Sequence, residues 1–223
     1  SYLQTDPERS TGKVNVIISD NEPAYDIVQH CAYDAIEPVS ANMNCKLLYH
    51  GSLALREARS KAALESLKEQ HPGIVFVDVN LRPPWWQADT VDQMLHGADW
   101  VKLNTDELEQ LSSADHYDTR AGYDFIERYQ FKGLVITHGA RGAEILLETG
   151  DRYEVEPGTA ATVIDTVGAG DALTSIIILG LSLEWPLQQT LERAQQFASA
   201  VVGQRGATIN DPAFYEPFIN EWL

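Results

Sequence analysis

The chain has 223 residues, a length that suits one domain of ordinary to large size or two small ones. Hydrophobic residues make up 44% and charged residues 22%, which is typical of globular proteins and argues against disordered and fibrous classes. The formal net charge is −17, and so acidic a surface repels nucleic-acid phosphates and anionic lipid head groups. We therefore expect no nucleic-acid partner and no membrane surface. An anionic ligand would need local devices such as helix N-termini, a few Lys or Arg side chains, or a bound cation.

The cysteines and the apolar stretches indicate the cellular setting. Cys31 and Cys45 form neither a CxxC pair nor a disulfide framework, a sparse use that is typical of cytoplasmic proteins. The longest nearly apolar run, Ala172 to Leu183, is too short to span a bilayer. The segment from Ser1 to Lys13 is polar and lacks the apolar region of a signal peptide. We therefore predict a cytoplasmic location.

The first half of the chain alternates between short strands and helices. A helix is predicted from Arg56 to Gln70, and a second helix opens at Asn104 with good capping residues. A turn is predicted at Asp20-Asn21-Glu22-Pro23. The almost wholly apolar sequence IVFVDV is typical of a strand that is buried on both faces of a sheet. Strands are predicted at Val14 to Ser19, Leu47 to His50, Ile74 to Val79 and Trp100 to Leu103.

The second half continues the same alternation. Strands are predicted at Leu134 to Thr137, Glu144 to Leu147 and Tyr153 to Val155. Helices are predicted at Tyr117 to Tyr129, Gly168 to about Leu181, Leu187 to Gly203 and Phe214 to Trp222. Strands that alternate with helices indicate βαβ units and a mostly parallel sheet with helices on both faces. In such sheets ligands bind beyond the carboxyl ends of the strands.

Several familiar sites are absent from the sequence. It contains no HExxH or cysteine-rich cluster for zinc, no GxSxG elbow and no GxxxxGK[ST] phosphate loop. The GxG at Gly168-Ala169-Gly170 has Leu173 where the dinucleotide fingerprint requires a third glycine. These absences argue against a zinc protease, an α/β-hydrolase, a P-loop enzyme and a dinucleotide site.

The most informative segment is DTVGAGD at 165–171, which is followed directly by an apolar helix. Gly168, Ala169 and Gly170 leave the backbone bare where the helix begins, so their N–H groups and the helix dipole form an anion cradle that suits a phosphoryl group. Asp171, in the first turn, is placed to accept a proton from an attacking hydroxyl. The alternative is a glycine turn followed by an acid that only stabilises the helix.

DTVGAGDA resembles the nucleotide-end signature of the ribokinase-like carbohydrate kinases, also called the PfkB family. The resemblance implies a three-layer, Rossmann-like α/β ribokinase fold with a mostly parallel central sheet covered by helices, plus the remnant of a small β lid. The lid would occupy residues 1–28 and one nucleotide-binding and catalytic domain residues 29–223. The matching motifs continue in order along the chain: STG at 10–12, GSLAL at 51–55, DVNLRPPWW at 78–86, KLNTDE at 102–107, THGARGA at 137–143 and RGATINDP at 205–212.

The resemblance implies an ATP-dependent kinase whose catalytic base is Asp171. The N–H groups of Gly168, Ala169 and Gly170 would line the hole for the transferred phosphoryl group. By the same resemblance Asn104 and Glu107 match the NxxE motif, which organises Mg²⁺ and phosphate largely through water, as magnesium prefers. The alternative for NxxE is a capped helix with an exposed acid.

Further residues match the nucleotide site of the family. Thr137, Gly139 and Gly142 match residues that approach the triphosphate, although the two glycines alone would also suit an ordinary tight turn. Gly206 and Ala207 match the loop near the adenine pocket.

The remaining matches concern a second cation and the substrate. Asp165 and the carbonyl group of Val167 match a monovalent-cation site for K⁺, although Asp165 could equally cap the following turn. Asn80 and Arg82 follow a buried strand at the substrate end of the sheet, and Arg82 would bind substrate or phosphate unless it pairs with a nearby acid. Trp85 and Trp86 are interpreted as packing residues.

Within the family, the pattern DxNxRxxxW most resembles fructokinases and 2-keto-3-deoxygluconate kinases, and the sequence AYDAI at 32–36 resembles the AWDxI of fructokinases. The favoured activity is phosphorylation of fructose by ATP. The alternatives are a 2-keto-3-deoxygluconate kinase and a truncated, non-catalytic nucleotide-binding member. The departure lies at the N-terminus, where the opening strand and the GGAPxN-like sugar segment of the family are missing, so we expect the chain to be N-terminally truncated. Sugar and ATP are the expected partners, and a homodimer is a further one because lids of this family often mediate dimers.

Overall fold

The computed structural model describes residues 3–19, 22–39, 45–71, 73–112, 114, 116–157 and 163–223. No helix in these ranges is long and apolar enough to cross a membrane. The strands are β1 (Val14–Ser19), β2 (Glu22–Ile27), β3 (Leu47–Gly51), β4 (Ile74–Asp78), β5 (Trp100–Asn104), β6 (Gly133–Thr137), β7 (Ala143–Leu147) and β8 (Arg152–Val155). The α-helices are α1 (Ala58–Gln70), α2 (Ala88–His96), α3 (Thr105–Ser112), α4 (Thr119–Tyr129), α5 (Ala169–Leu183), α6 (Leu187–Val202) and α7 (Glu216–Trp222).

The central sheet has six strands in the order β3-β4-β5-β6-β7-β8. The first four strands are parallel to one another, and β7 and β8 are antiparallel to their neighbours. Strands β1 and β2 form a separate two-stranded antiparallel sheet. The predicted mostly parallel α/β sheet is therefore confirmed.

Two hydrophobic cores lie on opposite faces of the sheet, which gives three layers. In β4, Val75 and Val77 join the core on the side of α4, whereas Phe76 joins the core under α5 and α6. Because successive side chains of a strand point to opposite faces, a strand that is apolar throughout feeds both cores at once. Helices α5 and α6 are in close contact, and a Cβ added at Gly180 would lie 2.5 Å from the Thr190 hydroxyl oxygen.

The carboxyl ends of the parallel strands meet at one edge of the sheet. Register pairs Asn104 at the end of β5 with Thr137 at the end of β6, and Asp78 at the end of β4 with Lys102. The motifs that carry the chemical predictions follow these strand ends, as the topology of parallel α/β sheets requires.

A buried ion pair fastens the start of α1 to the short 3₁₀ helix at Ala32–Ala35. The Arg56 guanidinium donates to both carboxylate oxygens of Asp34 at 2.7 and 2.8 Å, and to the carbonyl oxygen of Val28 at 2.9 Å. Asp34 is 4% exposed, so this pair is shielded from water. The contact explains why α1 begins at Ala58 and not at Arg56 as predicted: Leu53–Arg56 form a separate 3₁₀ turn, and Glu57 is extended.

Strand β2 and helix α2 were missed by the sequence prediction. Glu22 and Pro23, predicted as part of a turn, belong to β2, because pairing with β1 overrides their turn preference; Asp20 and Asn21 lie outside the described residues. Helix α2 was also missed, since a nine-residue segment with only three buried side chains carries a weak periodic signal.

Candidate active site

The N-terminus of α5 is built on glycine. Gly168 caps the helix with φ +84°, a left-handed conformation that favours glycine. A Cβ added there would lie 2.7 Å from the Cα atom of Ala207, so the two loops touch backbone to backbone. The Ala169 N–H donates to the carbonyl oxygen of Thr166 at 3.3 Å, and we expect the N–H groups of Gly168 and Gly170 to be the donors that face a bound anion.

A cavity of about 460 Å³ opens in front of this helix end. It brings Thr137, Gly139 and Gly142, from the loop after β6, together with Ala169 and Gly170. Five side chains from α5, α6 and the segment before α5 give the cavity an apolar side: Val163, Leu173, Ala198, Val202 and Pro157. The cavity therefore offers backbone donors at one end and an apolar surface at the other, a combination that suits a phosphorylated ligand with a flat apolar part.

Asp171 lies in the first turn of α5, and its side chain is exposed. The charges of Asp78 and Asp171 both act on Tyr49, whose pKa is raised to about 12, mainly by burial. Because Asp171 directly follows Gly170 and is exposed, its carboxylate lies beside the cradle and is in contact with solvent.

Asp165 joins the two loops at the far side of the cradle. Its Oδ1 accepts a hydrogen bond from the Val167 N–H and its Oδ2 one from the Gly206 N–H, both at 3.0 Å. These two bonds lower the pKa of the Asp165 carboxyl, and the bond from Val167 has the larger effect. The turn-capping geometry expected as the alternative is thus present, and a K⁺ site here stays a prediction. Ala207 contacts Gly168 at the start of α5, and Gly206 is bonded to Asp165; their place near an adenine pocket stays a prediction.

Asn104 and Glu107 form a reciprocal cap at the start of α3. The Asn104 Oδ1 accepts from the Glu107 N–H at 2.8 Å, and the Glu107 carboxylate accepts from the N–H groups of Asn104 and Leu81 at 2.9 and 2.7 Å. Burial raises the pKa of the Glu107 carboxyl, while the backbone donors at Asn104 and Leu81 and the charge of Lys102 act in the opposite direction. Glu107, predicted as exposed in the capping alternative, is 8% exposed.

This arrangement suits a magnesium ion only through water. Within the described ranges, no three His, Cys, Asp or Glu side chains lie close enough to hold a metal ion directly. The lone pairs of Glu107 that face its backbone donors are occupied, whereas Asn104 is exposed. Because Mg²⁺ keeps several water ligands and binds substrate phosphates, these residues fit an ion held by its water shell.

The predicted substrate residues lie at the end of β4. Asn80 has φ +42° and accepts a hydrogen bond from the Ser52 hydroxyl at its carbonyl oxygen. Arg82 is exposed and forms no ion pair with another described residue, so the pairing alternative is not seen. Trp85 packs against the Arg56 guanidinium at 5.2 Å from the ring centroid, and Trp86 packs against the core, as predicted.

Comparisons with known proteins identify the family. Residues 1–213 match the family described as pfkB family carbohydrate kinase. The chain belongs to this family. The fructokinase of Salmonella thompson is 31% identical over 158 residues, which cover 66% of this chain and 69% of that protein. The 5-dehydro-2-deoxygluconokinase of Geobacillus thermodenitrificans (strain NG80-2) is 26% identical over 185 residues, or 78% of this chain and 54% of that protein.

A solved structure extends the likeness to three dimensions. The fructokinase of Vibrio cholerae O395, in its fructose, ADP and calcium ion bound form, is 26% identical, with a TM-score of 0.78 over 96% of this chain and 75% of that chain. The predicted ribokinase-like fold is confirmed by this match. The chain spans about half to two thirds of the length of the curated PfkB relatives given above.

Sequence reasoning missed three residues under the cradle of this PfkB chain. Lys102 donates to both oxygens of Asp78 at 3.1 Å, and the Thr174 hydroxyl lies 3.0 Å from Asp78 Oδ2. Burial raises the pKa of the Asp78 carboxyl and the Asp171 charge adds to the rise, while Lys102 and Thr174 oppose it. The signal in the sequence was a single charge inside each of two apolar strand runs, IVFVDV and WVKLN.

A second polar cluster supports the loop after β6. Glu144, 1% exposed, accepts hydrogen bonds from Tyr117, from His138 Nε2 at 2.8 Å and from Arg152 Nε at 2.7 Å. His138 Nδ1 lies 3.1 Å from the hydroxyl oxygen of Thr105, the first residue of α3. The cluster therefore links the loop of Thr137 and Gly139 to the helix that carries Glu107.

Proposed function

We propose that this chain carries the nucleotide-binding and phosphoryl-transfer machinery of an ATP-dependent sugar kinase, with fructose as the preferred acceptor. The observation that carries the proposal is the start of α5. Ala169 and Gly170, which follow the Gly168 cap, line a cavity of about 460 Å³, and Asp171 follows in the same helical turn. Donors for a phosphoryl group and a base for a hydroxyl are thus one residue apart in the sequence.

In the proposed reaction the phosphates of ATP lie across the cradle, beside Thr137 and Gly139. A sugar hydroxyl next to Asp171 gives its proton to the carboxylate, and its oxygen attacks the γ-phosphorus. The bond between the γ-phosphorus and the β–γ bridging oxygen breaks, ADP leaves with those electrons, and a sugar phosphate forms. The N–H groups of Gly168 and Gly170 stabilise the charge that develops on the phosphoryl oxygens.

Cations complete the site in this proposal. When bound, Mg²⁺ neutralises phosphate charge, and Asn104 and Glu107 would hold it through its water ligands. Asp165 and the Val167 carbonyl would form a K⁺ site behind the cradle. Hydrogen bonds to the Gly206 and Leu81 N–H groups hold the Asp165 and Glu107 carboxylates in place.

Fructose is favoured because the fructokinase relatives share both sequence and fold with the chain. A second candidate is a keto-sugar acid, either the 2-keto-3-deoxygluconate weighed from the sequence or the 5-dehydro-2-deoxygluconate named by the Geobacillus relative. Arg82, which follows β4, is exposed and has no ion-pair partner among the described residues, so it would suit the carboxylate of such an acid. The β1–β2 sheet would act as part of a lid over the sugar, as proposed for residues 1–28.

The test is Asp171→Asn with Asp89→Asn as its matched control. Both acids occupy the first turn of a helix, so both changes remove the same small dipole stabilisation, about 0.3–1 kcal/mol. Only Asp171 adjoins the cradle. We expect Asp171→Asn to lower the kcat with fructose by about 10²–10⁴-fold. Affinity for Mg·ATP should be retained or improved, since a carboxylate that repels the triphosphate is gone.

Three measurements separate the alternatives: coupled ADP release with each sugar, calorimetric Mg·ATP affinity, and melting temperature. An Asp171→Asn protein within about threefold of the parent kcat removes Asp171 from the mechanism. A higher kcat/KM on either keto-sugar acid replaces fructose as the substrate. Binding of Mg·ATP by the chain without turnover of any sugar supports the non-catalytic alternative, and failure to bind Mg·ATP overturns the proposal.

A further inference from the structure

Two opposite charges are buried directly beneath the first turn of α5. Asp78 is 1% exposed and Lys102 is 8% exposed, and the ammonium group sits 3.1 Å from each carboxylate oxygen. Thr174 lies 3.0 Å from Asp78 Oδ2 and 2.9 Å from the carbonyl oxygen of Gly170, so its single hydroxyl proton is shared between the sheet and the cradle. The three side chains tie the ends of β4 and β5 to the helix start.

The ammonium group faces the cradle through a gap that glycine leaves open. A Cβ added at Gly170 would lie 3.2 Å from the Lys102 Nζ atom, which is closer than most side-chain contacts. The Lys102 ammonium group therefore lies against Gly170, a residue that also lines the cavity. Any larger residue at position 170 would fill this gap.

The Asp78–Lys102 pair is poorly explained by its contribution to the stability of the fold. Removing two charges from water costs several kcal/mol, and apolar residues of the same volume often stabilise a fold as well or better. A fixed cation is valuable for another reason here, because the chain carries a net charge of −17 and a triphosphate is itself an anion. The cations on the neighbouring loops, Arg141 and Arg205, are exposed, and water and salt screen their charges.

We propose that Lys102 is a positioning residue of the phosphoryl-transfer site. Held by Asp78, its ammonium group provides a fixed positive charge under Gly170 for the phosphoryl group in transit, and the Asp78–Thr174 contact keeps the helix start in register with that charge. The inference rests on the proposed function, which it deepens. It predicts that the pair favours the transferring phosphoryl group over the phosphates of the product nucleotide.

The test uses the whole chain and two probes, Mg·ADP alone and Mg·ADP with aluminium fluoride, which mimics the phosphoryl group in transit. Lys102→Met alone leaves a buried, unpaired carboxylate and is expected to destabilise the fold strongly. The double variant Asp78→Asn/Lys102→Met removes both charges at once and is expected to melt within a few degrees of the parent. Lys132→Met, which removes an exposed lysine paired with Asp99, is the control for loss of a lysine elsewhere.

By titration calorimetry, the double variant should bind Mg·ADP within about threefold of the parent. It should lose about tenfold or more in affinity for the aluminium fluoride complex, since a charge a few ångströms away in a shielded site acts strongly. Lys132→Met should change neither affinity. Thr174→Val keeps the shape of the side chain and removes the hydroxyl, so it should lower affinity for the aluminium fluoride complex by a smaller factor. If the double variant does not fold, this variant provides the test in its place.

Unchanged affinity of the double variant for both probes would overturn the inference and leave the pair a purely structural feature. An equal loss for both probes would overturn it too, because the pair would then only shape the cavity. If the parent itself fails to bind Mg·ADP, the proposed function falls and this inference falls with it. If the parent binds Mg·ADP and the variants bind both probes equally well, only the role of Lys102 is refuted and the proposed function stands.

Discussion

The contact between Gly168 and Ala207 makes Gly168→Ala a demanding test of the cradle. At φ +84° an alanine carries the left-handed penalty of about 1–2 kcal/mol. Its Cβ would also lie 2.7 Å from the Cα atom and 3.1 Å from the carbonyl oxygen of Ala207, and backbone cannot rotate away as a side chain can. Overpacking of this kind adds about 1–3 kcal/mol.

Gly150→Ala separates the backbone penalty from the steric penalty. Gly150 has φ +91°, and a Cβ added there meets nothing within 4 Å, so this variant carries the backbone penalty without the steric one. The two variants lose the same conformational freedom in the unfolded chain, which cancels in the comparison. For a chain of this length 1 kcal/mol corresponds to about 2–4 °C in melting temperature. We expect Gly150→Ala to lower the melting temperature by about 2–8 °C and Gly168→Ala by clearly more.

The functional readout is Mg·ATP affinity by calorimetry. Moving Ala207 away from the helix start should weaken binding by about tenfold or more in Gly168→Ala, because a small displacement of the donors spoils their aim at the phosphates. Gly150→Ala should bind like the parent. Equal losses of stability in the two variants, together with unchanged nucleotide affinity in Gly168→Ala, would refute the steric argument and the placement of the nucleotide.

Two further predictions concern buried charge. Burial lowers the pKa of His50 to about 4, and its enclosed Nε2 atom has no hydrogen-bond partner in the described part of the chain, so the folded state favours the neutral ring. The stabilisation is complete above the unfolded pKa of about 6.5 and is lost as the pH falls towards 4. Between pH 7.5 and 4.5, the free energy of unfolding measured with urea should therefore fall by about 2–3 kcal/mol more in the parent than in His50→Gln. Parallel pH profiles of the two proteins would contradict this. Arg56→Met leaves the Asp34 carboxylate buried without its partner and should lower the free energy of unfolding by about 3–5 kcal/mol, whereas Asp34→Asn/Arg56→Met should lower it by less. If the free energy of unfolding of Arg56→Met lies within about 1 kcal/mol of the parent value, the pair is not shielded from water.

The start of α5 could be predicted because its physics is local. Two glycines, an alanine and an acid before an apolar run specify a helix N-terminus wherever the chain places it, and only glycine suits position 168. The sheet was predictable for a similar reason, since runs such as IVFVDV alternate with helical segments over short distances. The position of the site at the strand ends then followed from the topology of parallel sheets.

The supports of the site could not be predicted, because they depend on contacts between distant segments. Thr174 and Asp78 are 96 residues apart, and nothing near either residue indicates the other. Strand β2 was missed because its residues have local turn preferences that pairing with β1 overrides. The roles of Asn104 and Asp165 were left open between capping and cation binding, and both side chains do form the caps.

Asp165 has a consequence for the engineering of nucleotide specificity. One carboxylate fastens the Val167 turn to the Gly206 loop, 41 residues later in the chain. A redesign of the Gly206 loop for a different base would release the turn that leads into α5. In the proposed nucleotide site, a change of base preference would therefore also alter the phosphate-binding turn. If the proposed function holds, we expect variants selected for a new nucleotide to keep turnover only where the Asp165 carboxylate and its two hydrogen bonds are preserved.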